Sequence, residues 1–342
     1  MSKSLLLTAL TLSLALAGCS SKIRIPEYDA PPSAQASAEK PLRIQYLGVG
    51  GQRMQYGDEV VLTGPMFSNP NFILAGPFIP LSSDHEAVDK YMPESSAASI
   101  MLVGHAHYDH LIDVPYIMEK YAPKSHLYGS KTAINTVANY VPAERMTAVD
   151  DDMATREKPG KWYYSDSGKA RVMAIKSSHA PHFMGIKLMQ GKYDKPLKKY
   201  PWHAFAWREG QTMAYVIDFL NDEKQPVYRI FYQDAASAEQ EGVVPDLNDD
   251  KGFDVAIICP ASFEQIDNYP ESIMKNTQAK TYLLGHWEDF FGNDLSGTQR
   301  FVRNTNQEKF EKRINAALNG SHWARPNLFQ TLQFNSQGLI KQ

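Results

Sequence analysis

With 342 residues, the chain has room for one large domain or two ordinary ones. Hydrophobic residues make up 43% and charged residues 21%, which is ordinary for a globular protein and excludes a low-complexity chain. The formal net charge of −3 excludes a basic field that would recruit nucleic acid.

Lys3 and the apolar run over residues 5–16 read as a secretory signal. The run is shorter than the roughly 20 residues a membrane-spanning helix needs. It ends in Leu16-Ala17-Gly18-Cys19, which resembles the bacterial lipobox. That resemblance implies removal of residues 1–18, acylation of Cys19 with lipid chains such as palmitate, and a lipid-anchored protein of the cell envelope. Ser20 after the cysteine, where Asp would signal retention, implies the outer membrane facing the periplasm in a Gram-negative cell. An ordinary secretory signal with a chance cysteine is the plainer alternative. Residues 19–41 carry Pro26, Pro31 and Pro32 with several Ala and Ser, and read as a flexible tether. The folded domain then spans residues 42–342, without internal repeats. The other cysteine, Cys259, leaves that domain no internal disulfide. It follows the apolar run 255–258 and reads as a buried strand end rather than a nucleophile.

In chain order, residues 44–47 and 59–62 read as a hairpin, with Gly57-Asp58 as its turn. Residues 99–103 form a short buried strand. Residues 112–121 read as a helix, with Pro115 tolerated in its first turn. A strand at 126–128 and a helix at 131–140 follow. Residues 162–164 and 170–176 form a second hairpin around Ser167-Gly168. Strands at 213–219 and 228–232 are joined by a polar turn at 221–225. Then come a strand at 254–258, a short helix at 272–278 and a strand at 281–284. The helix 307–318 carries Phe310, Ile314, Ala317 and Leu318 on one face, and a strand at 332–334 ends the pattern. Two strand-rich halves with interspersed helices predict an α/β (α+β) domain with two packed sheets and helices outside.

Four metal-ligand side chains crowd one short segment directly after the strand 99–103: His105, His107, Asp109 and His110. Gly104 permits a sharp turn, and a loop there can aim several side chains at one point. Imidazole nitrogens and carboxylate oxygens are donors that a borderline cation such as Zn²⁺ accepts.

The segment His105-Ala-His107-Tyr-Asp109-His110 resembles the signature of the metallo-β-lactamase superfamily. The resemblance extends over residues ~42–334, because His179, Asp234 and His286 follow later strands in the family's order. It implies a four-layer αβ/βα sandwich, with two mixed sheets packed face to face. It implies two divalent metal ions, Zn²⁺ first, with Mn²⁺ or Fe²⁺ as alternatives. His105, His107 and His179 would hold one ion, Asp109, His110 and His286 the other, with Asp234 bridging. A hydroxide shared by the two ions would attack the substrate, and Asp109 could orient it. In His179-Ala-Pro-His182 either histidine could be the ligand. The strand ends closer to His179, which leaves His182 to support the ligands or touch substrate as a catalytic donor. The aromatic stretch at 200–207, with His203, could line a pocket or belong to the core. His85, His126 and His322 read as structural or solvated.

Two positions depart from the family. Thr63-Gly64-Pro65 stands where many members have Thr-Asp-Pro, so the metal loop must be braced otherwise or be looser. Gln233-Asp234-Ala235 stands where many have Gly-Asp-Thr, so the turn at the bridging ligand can differ. Tyr108, Trp287, Leu47-Gly48 and the 63–68 segment together resemble the subgroup containing N-acylphosphatidylethanolamine-hydrolysing phospholipase D. That implies a phosphodiester among small-molecule or lipid-like substrates. A lactone, β-lactam or other ester hydrolase is the enzymatic alternative, and a binding lipoprotein on a hydrolase scaffold the non-enzymatic one. The apolar segment 65–80 could meet an acyl chain or a membrane, or pack on the core. Oligomeric state is left open.

Overall fold

The computed structural model describes residues 40–71 and 78–340. The signal segment 1–18, Cys19 and all but the end of the tether lie outside the described residues. β1 (Leu42–Gly48), β2 (Gly51–Tyr56), β3 (Glu59–Thr63), β4 (Ala98–Leu102), β5 (His126–Gly129) and β6 (Met146–Ala148) build one sheet. β7 (Tyr163–Tyr164), β8 (Ala170–Lys176), β9 (Met213–Leu220), β10 (Pro226–Gln233), β11 (Val255–Ile258), β12 (Thr281–Leu284) and β13 (His322–Ala324) build the second. β14 (Thr331–Asn335) and β15 (Gly338–Leu339) return to the first, where β14 pairs with β1.

Both sheets are mixed. β1, β2 and β3 run antiparallel, and β3 through β6 run parallel. β7 through β10 alternate, and β10 through β13 run parallel. Parallel strands deliver their carboxyl ends to the same edge, which is where open α/β sheets place their sites.

Side-chain alternation explains the layers. Ile44, Met54 and Ile100 from the first sheet meet Val172, Ile217 and Ile230 from the second in one core. The opposite faces, among them Leu62, Met101, Phe231 and Ile258, join helical side chains. Those helices are α1 (His85–Tyr91), α2 (Tyr108–Leu111), α3 (Val114–Lys120), α4 (Lys131–Val137), α5 (Glu271–Thr277) and α6 (Gln307–Ala317). Every residue of β9 is buried, as a strand covered on both faces requires. The result is the expected sandwich of two mixed sheets between helices.

The first hairpin differs from the sequence reading. Gly57-Asp58 closes β2 onto β3, and β1 pairs with β2 rather than with β3. The sequence shows no strand at β2 because Gln52, Arg53 and Gln55 interrupt its apolar residues, although Gln52 and Met54 are buried. α2 stands where the sequence suggests a loop, and α4 ends at Val137 rather than at residue 140. α1, β6, β13 and β15 are too short or too polar to show a period. α6 follows its predicted face, with Phe310 and Ile314 buried.

Away from the strand carboxyl ends, a buried ionic group ties β8, β9 and β10. Asp218 accepts from Arg229 Nε at 2.7 Å and from Arg171 Nη2 at 2.8 Å, and Asp249 takes the other side of Arg229. Removing one partner of such a group leaves an uncompensated charge in the core. Asp218→Ala is expected to cost ~3–5 kcal/mol of unfolding free energy, measured by urea denaturation. A loss below ~1 kcal/mol would show that the arginines find other partners.

Candidate metal centre

Four strand ends build the centre. β4 leads through Gly104 into His105 and His107, and α2 then presents Asp109 and His110. β8 leads to His179, β10 to Asp234 and β12 to His286. Three sets of donors arise: His105, His107 and His179; His105, His110 and Asp234; Asp109, His110 and His286. Within each set the donor atoms lie within 4.8 Å of one another. All seven side chains expected as ligands therefore meet in one place, and Asp234 lies between the first and second groups of histidines. Asp234 Oδ1 is 3.1 Å from His105 Nδ1, and its Oδ2 is 3.4 Å from His110 Nδ1. Asp109 Oδ2 is 3.3 Å from both His110 Nε2 and His286 Nε2.

The donor chemistry fits a divalent cation. His105 Nε2, His107 Nε2, both ring nitrogens of His110 and His286 Nδ1 are buried without a hydrogen bond. An unsatisfied buried polar atom costs ~1–3 kcal/mol; each neutral ring keeps one lone pair, so these four rings offer up to four that a bound cation would satisfy. Charge states agree. Burial and the neighbouring His105 and His179 push His107 well below its ordinary value, and burial brings His110 to about 3. Burial and His105 lower His179 to about 4. For His105, burial alone would lower the value, but the Asp234 carboxylate outweighs it and raises it. Burial likewise opposes ionisation of the carboxylates, yet His110 and His286 hold Asp109 well below its usual range. His110 and His105 bring Asp234 to about 2. Among the described residues, the group is mostly neutral imidazole around two carboxylates.

His179 and His182 stack with ring centroids 4.6 Å apart, but their hydrogen bonds differ. His179 Nδ1 lies 2.6 Å from the Ala180 carbonyl, so that nitrogen carries the proton and the other keeps its lone pair. His182 Nδ1 accepts from the Leu188 backbone N–H at 3.1 Å, so in the neutral ring Nε2 carries the proton. One ring is set as a ligand, the other as a donor. His182 also lines the pocket beside the centre, a cavity of about 180 Å³ shared with Tyr108 and Asp109. The pocket's other walls are largely apolar, including Ile186, Phe205, Phe290 and Val302. Cys259 is buried just after β11, as read from the sequence, and also touches this pocket.

The two departures have specific replacements. Gly64 comes so close to α2 that a Cβ there would overlap the His110 carbonyl oxygen, so the space of an aspartate is taken by backbone. The bracing carboxylate is instead Asp113, just before α3. It accepts from the Phe67 and Ser68 amides at 2.7 and 3.0 Å and from the Ser83 hydroxyl at 2.6 Å. Gln233 donates to Ser177 at 3.0 Å and Ser237 at 2.8 Å, tying the end of β8 to the loop that carries Asp234. Glu288 accepts from the Val49 amide at 2.6 Å and from Tyr46, and the His286 amide donates to the Val49 carbonyl at 2.8 Å. His286 itself adopts φ 52°, a backbone region uncommon outside glycine and typical of constrained sites.

Nothing in the sequence alone marks Asp113, Glu288 or the Leu188 amide as part of the site, beyond the acids' place beside recognised ligands. Trp287 is a core residue whose indole donates to Pro326, and it does not line the pocket. His203 touches Phe78 with centroids 5.4 Å apart, whereas His85 stacks on Tyr116 at the surface. Gly64→Asp, the residue the resemblance leads one to expect there, is expected to destabilise the domain by ~1–3 kcal/mol through overpacking. Thermal unfolding checks this, and an unchanged or raised midpoint would refute the close approach.

No protein-family model and no curated protein matches the sequence. Solved structures do match. Igni18, a metallo hydrolase from the hyperthermophilic archaeon Ignicoccus hospitalis KIN4/I, is 11% identical with a TM-score of 0.51, over 86% of this chain and 99% of that chain. YhfI from Bacillus subtilis, a metallo-β-lactamase fold protein, is 13% identical with a TM-score of 0.47, over 86% and 99%. With its two mixed sheets between helices, the chain has the αβ/βα sandwich of the metallo-β-lactamase fold.

Proposed function

We propose that this chain is a metal-dependent hydrolase with a two-ion centre. The observation that carries the reading is the meeting of seven donor side chains from four strand ends, six of them buried and His179 partly so, with five ring nitrogens lacking any hydrogen bond. His105, His107 and His179 would hold one ion, Asp109, His110 and His286 the second, and Asp234 would lie between them. Zn²⁺ suits this nitrogen and oxygen set, as do Mn²⁺ and Fe²⁺ where they are more available. When bound, such ions lower the pKa of water and polarise a substrate oxygen.

The chain's own residues supply the rest. Asp109 reaches the pocket and is ionised, so it can accept a hydrogen bond from the attacking water and orient it. His182 presents a proton on Nε2 because the Leu188 amide occupies Nδ1. It can donate to the oxygen that gains charge as the bond breaks. The apolar walls exclude bulk water and strengthen both interactions.

A phosphodiester is the leading substrate class. Beyond the charge that bound ions would bring, Arg303 lines the pocket, and Asp289 offsets it at 2.9 Å, so the walls add little net positive charge. That suits a singly charged diester better than a doubly charged monoester. The same scarcity of charge on the walls beyond the ions supports a lactone or other neutral ester as the second reading.

Purified protein is expected to contain metal, and chelation should abolish hydrolysis of a chromogenic phosphodiester. His107→Ala and Asp234→Ala should lose metal and turnover together; full metal content in either would overturn the ligand assignment. His182→Ala should lower kcat by ~10²–10³, as for loss of a transition-state donor, with metal content unchanged. Loss of metal in that variant would exchange the roles of His182 and His179. Full metal content without turnover of diesters, lactones or β-lactams would favour a binding lipoprotein.

A further inference from the structure

The mouth of the pocket carries large apolar side chains in water. Met184 is 75% exposed, Trp202 62%, Ile186 56%, Phe78 50% and Phe183 38%. They are connected rather than scattered. Phe183 and Ile186 bridge each other and line the pocket, as does Phe205. Phe78 lies 5.4 Å from Phe205, and Trp202 lies against His203, which Phe78 also touches. Soluble surfaces seldom keep such a patch without a partner.

Charge identifies the partner. Between residues 183 and 208 the chain has six basic residues, Lys187, Lys192, Lys195, Lys198, Lys199 and Arg208, against one acid, Asp194. The whole chain has a net charge of −3, so this basic excess is local. Lys195, Lys198 and Lys199 are exposed. Lys187 follows Ile186 and Lys199 precedes Trp202 by three residues; apolar side chains with lysines close by in the chain match an interface where hydrocarbon lies beneath anionic headgroups. Among the described residues, no helix is long and apolar enough to cross a membrane, so such contact would be superficial. Leu42 opens β1 at the end away from the site. A tether of residues 19–41 can extend to about 75 Å, so an anchor at Cys19 would still let the pocket mouth reach the same bilayer.

We infer that the rim formed by Phe78, Phe183, Met184, Ile186 and Trp202, with the neighbouring lysines, docks on an anionic lipid bilayer. The pocket then opens into the lipid, and an apolar substrate enters without crossing water. The inference goes beyond the hydrolase reading and does not depend on which bond is cleaved.

Full-length protein reconstituted in vesicles of phosphatidylcholine and phosphatidylglycerol with brominated acyl chains tests it. Trp202 is one of five tryptophans, so about one fifth of the emission should be quenched. Trp202→Phe should abolish that quenching. Lys198→Glu combined with Lys199→Glu should reduce it at least about twofold; circular dichroism would show that these surface variants fold. Quenching that survives Trp202→Phe, or is equal in phosphatidylcholine alone, overturns the inference. Shielding of Trp202 that rises with protein concentration without lipid also overturns it, by assigning the patch to a second copy. Turnover is not read, so failure here leaves the hydrolase reading standing, and a catalytically silent protein could still dock.

Discussion

The buried carboxylate of Asp234 is the constraint around which the molecule is arranged. It lies between His105 and His110, on a loop tied to β8 by Gln233. A carboxylate so placed needs positive charge; burial pushes the His110 ring toward neutrality, whereas at His105 the carboxylate outweighs burial. His105 supplies the group one hydrogen bond at 3.1 Å, and the ring nitrogens left without one are where a cation would bind. The rest follows from bringing strand ends to that point. β4, β8, β10 and β12 arrive at one edge, and Gly104 is small because a Cβ would strike the Asp234 carboxylate.

Much of this was legible beforehand because it depends on residue type at a strand end. The segment from His105 to His110 is dense in donors, and each later ligand follows an apolar run that forms a strand. The fold class was legible for the same reason: β9, β11 and β12 are nearly continuous hydrophobic runs, the pattern of strands buried on both faces. What was not legible depends on distance between parts of the chain. β2 carries Gln52, Arg53 and Gln55 with no regular alternation and acquires its strand character from β1 and β3. Gly64 resembled a missing brace, but its lack of a side chain admits the α2 backbone. Asp113 replaces that brace from the other side of the motif. Such an exchange is invisible until residues 67, 83 and 113 are seen together.

The pocket divides its work by polarity. One end carries the histidines and carboxylates; the walls beyond are aliphatic and aromatic. A site of this kind recognises the reacting group by charge and the remainder of the substrate by shape and hydrophobicity. A cavity of about 180 Å³ is little larger than the ~150 Å³ cavity known to take up benzene. A longer substituent would therefore leave through the mouth rather than be enclosed, where it would meet the exposed apolar rim.

The bond from the Leu188 amide to His182 sets which nitrogen of that ring carries its proton. The donor belongs to the main chain, and every residue but proline provides it. Position 188 can therefore drift among side chains while the tautomer stays fixed. The role is written in the path of the backbone from 182 to 188, and the length of that turn, more than any residue identity within it, is what related sequences would have to preserve.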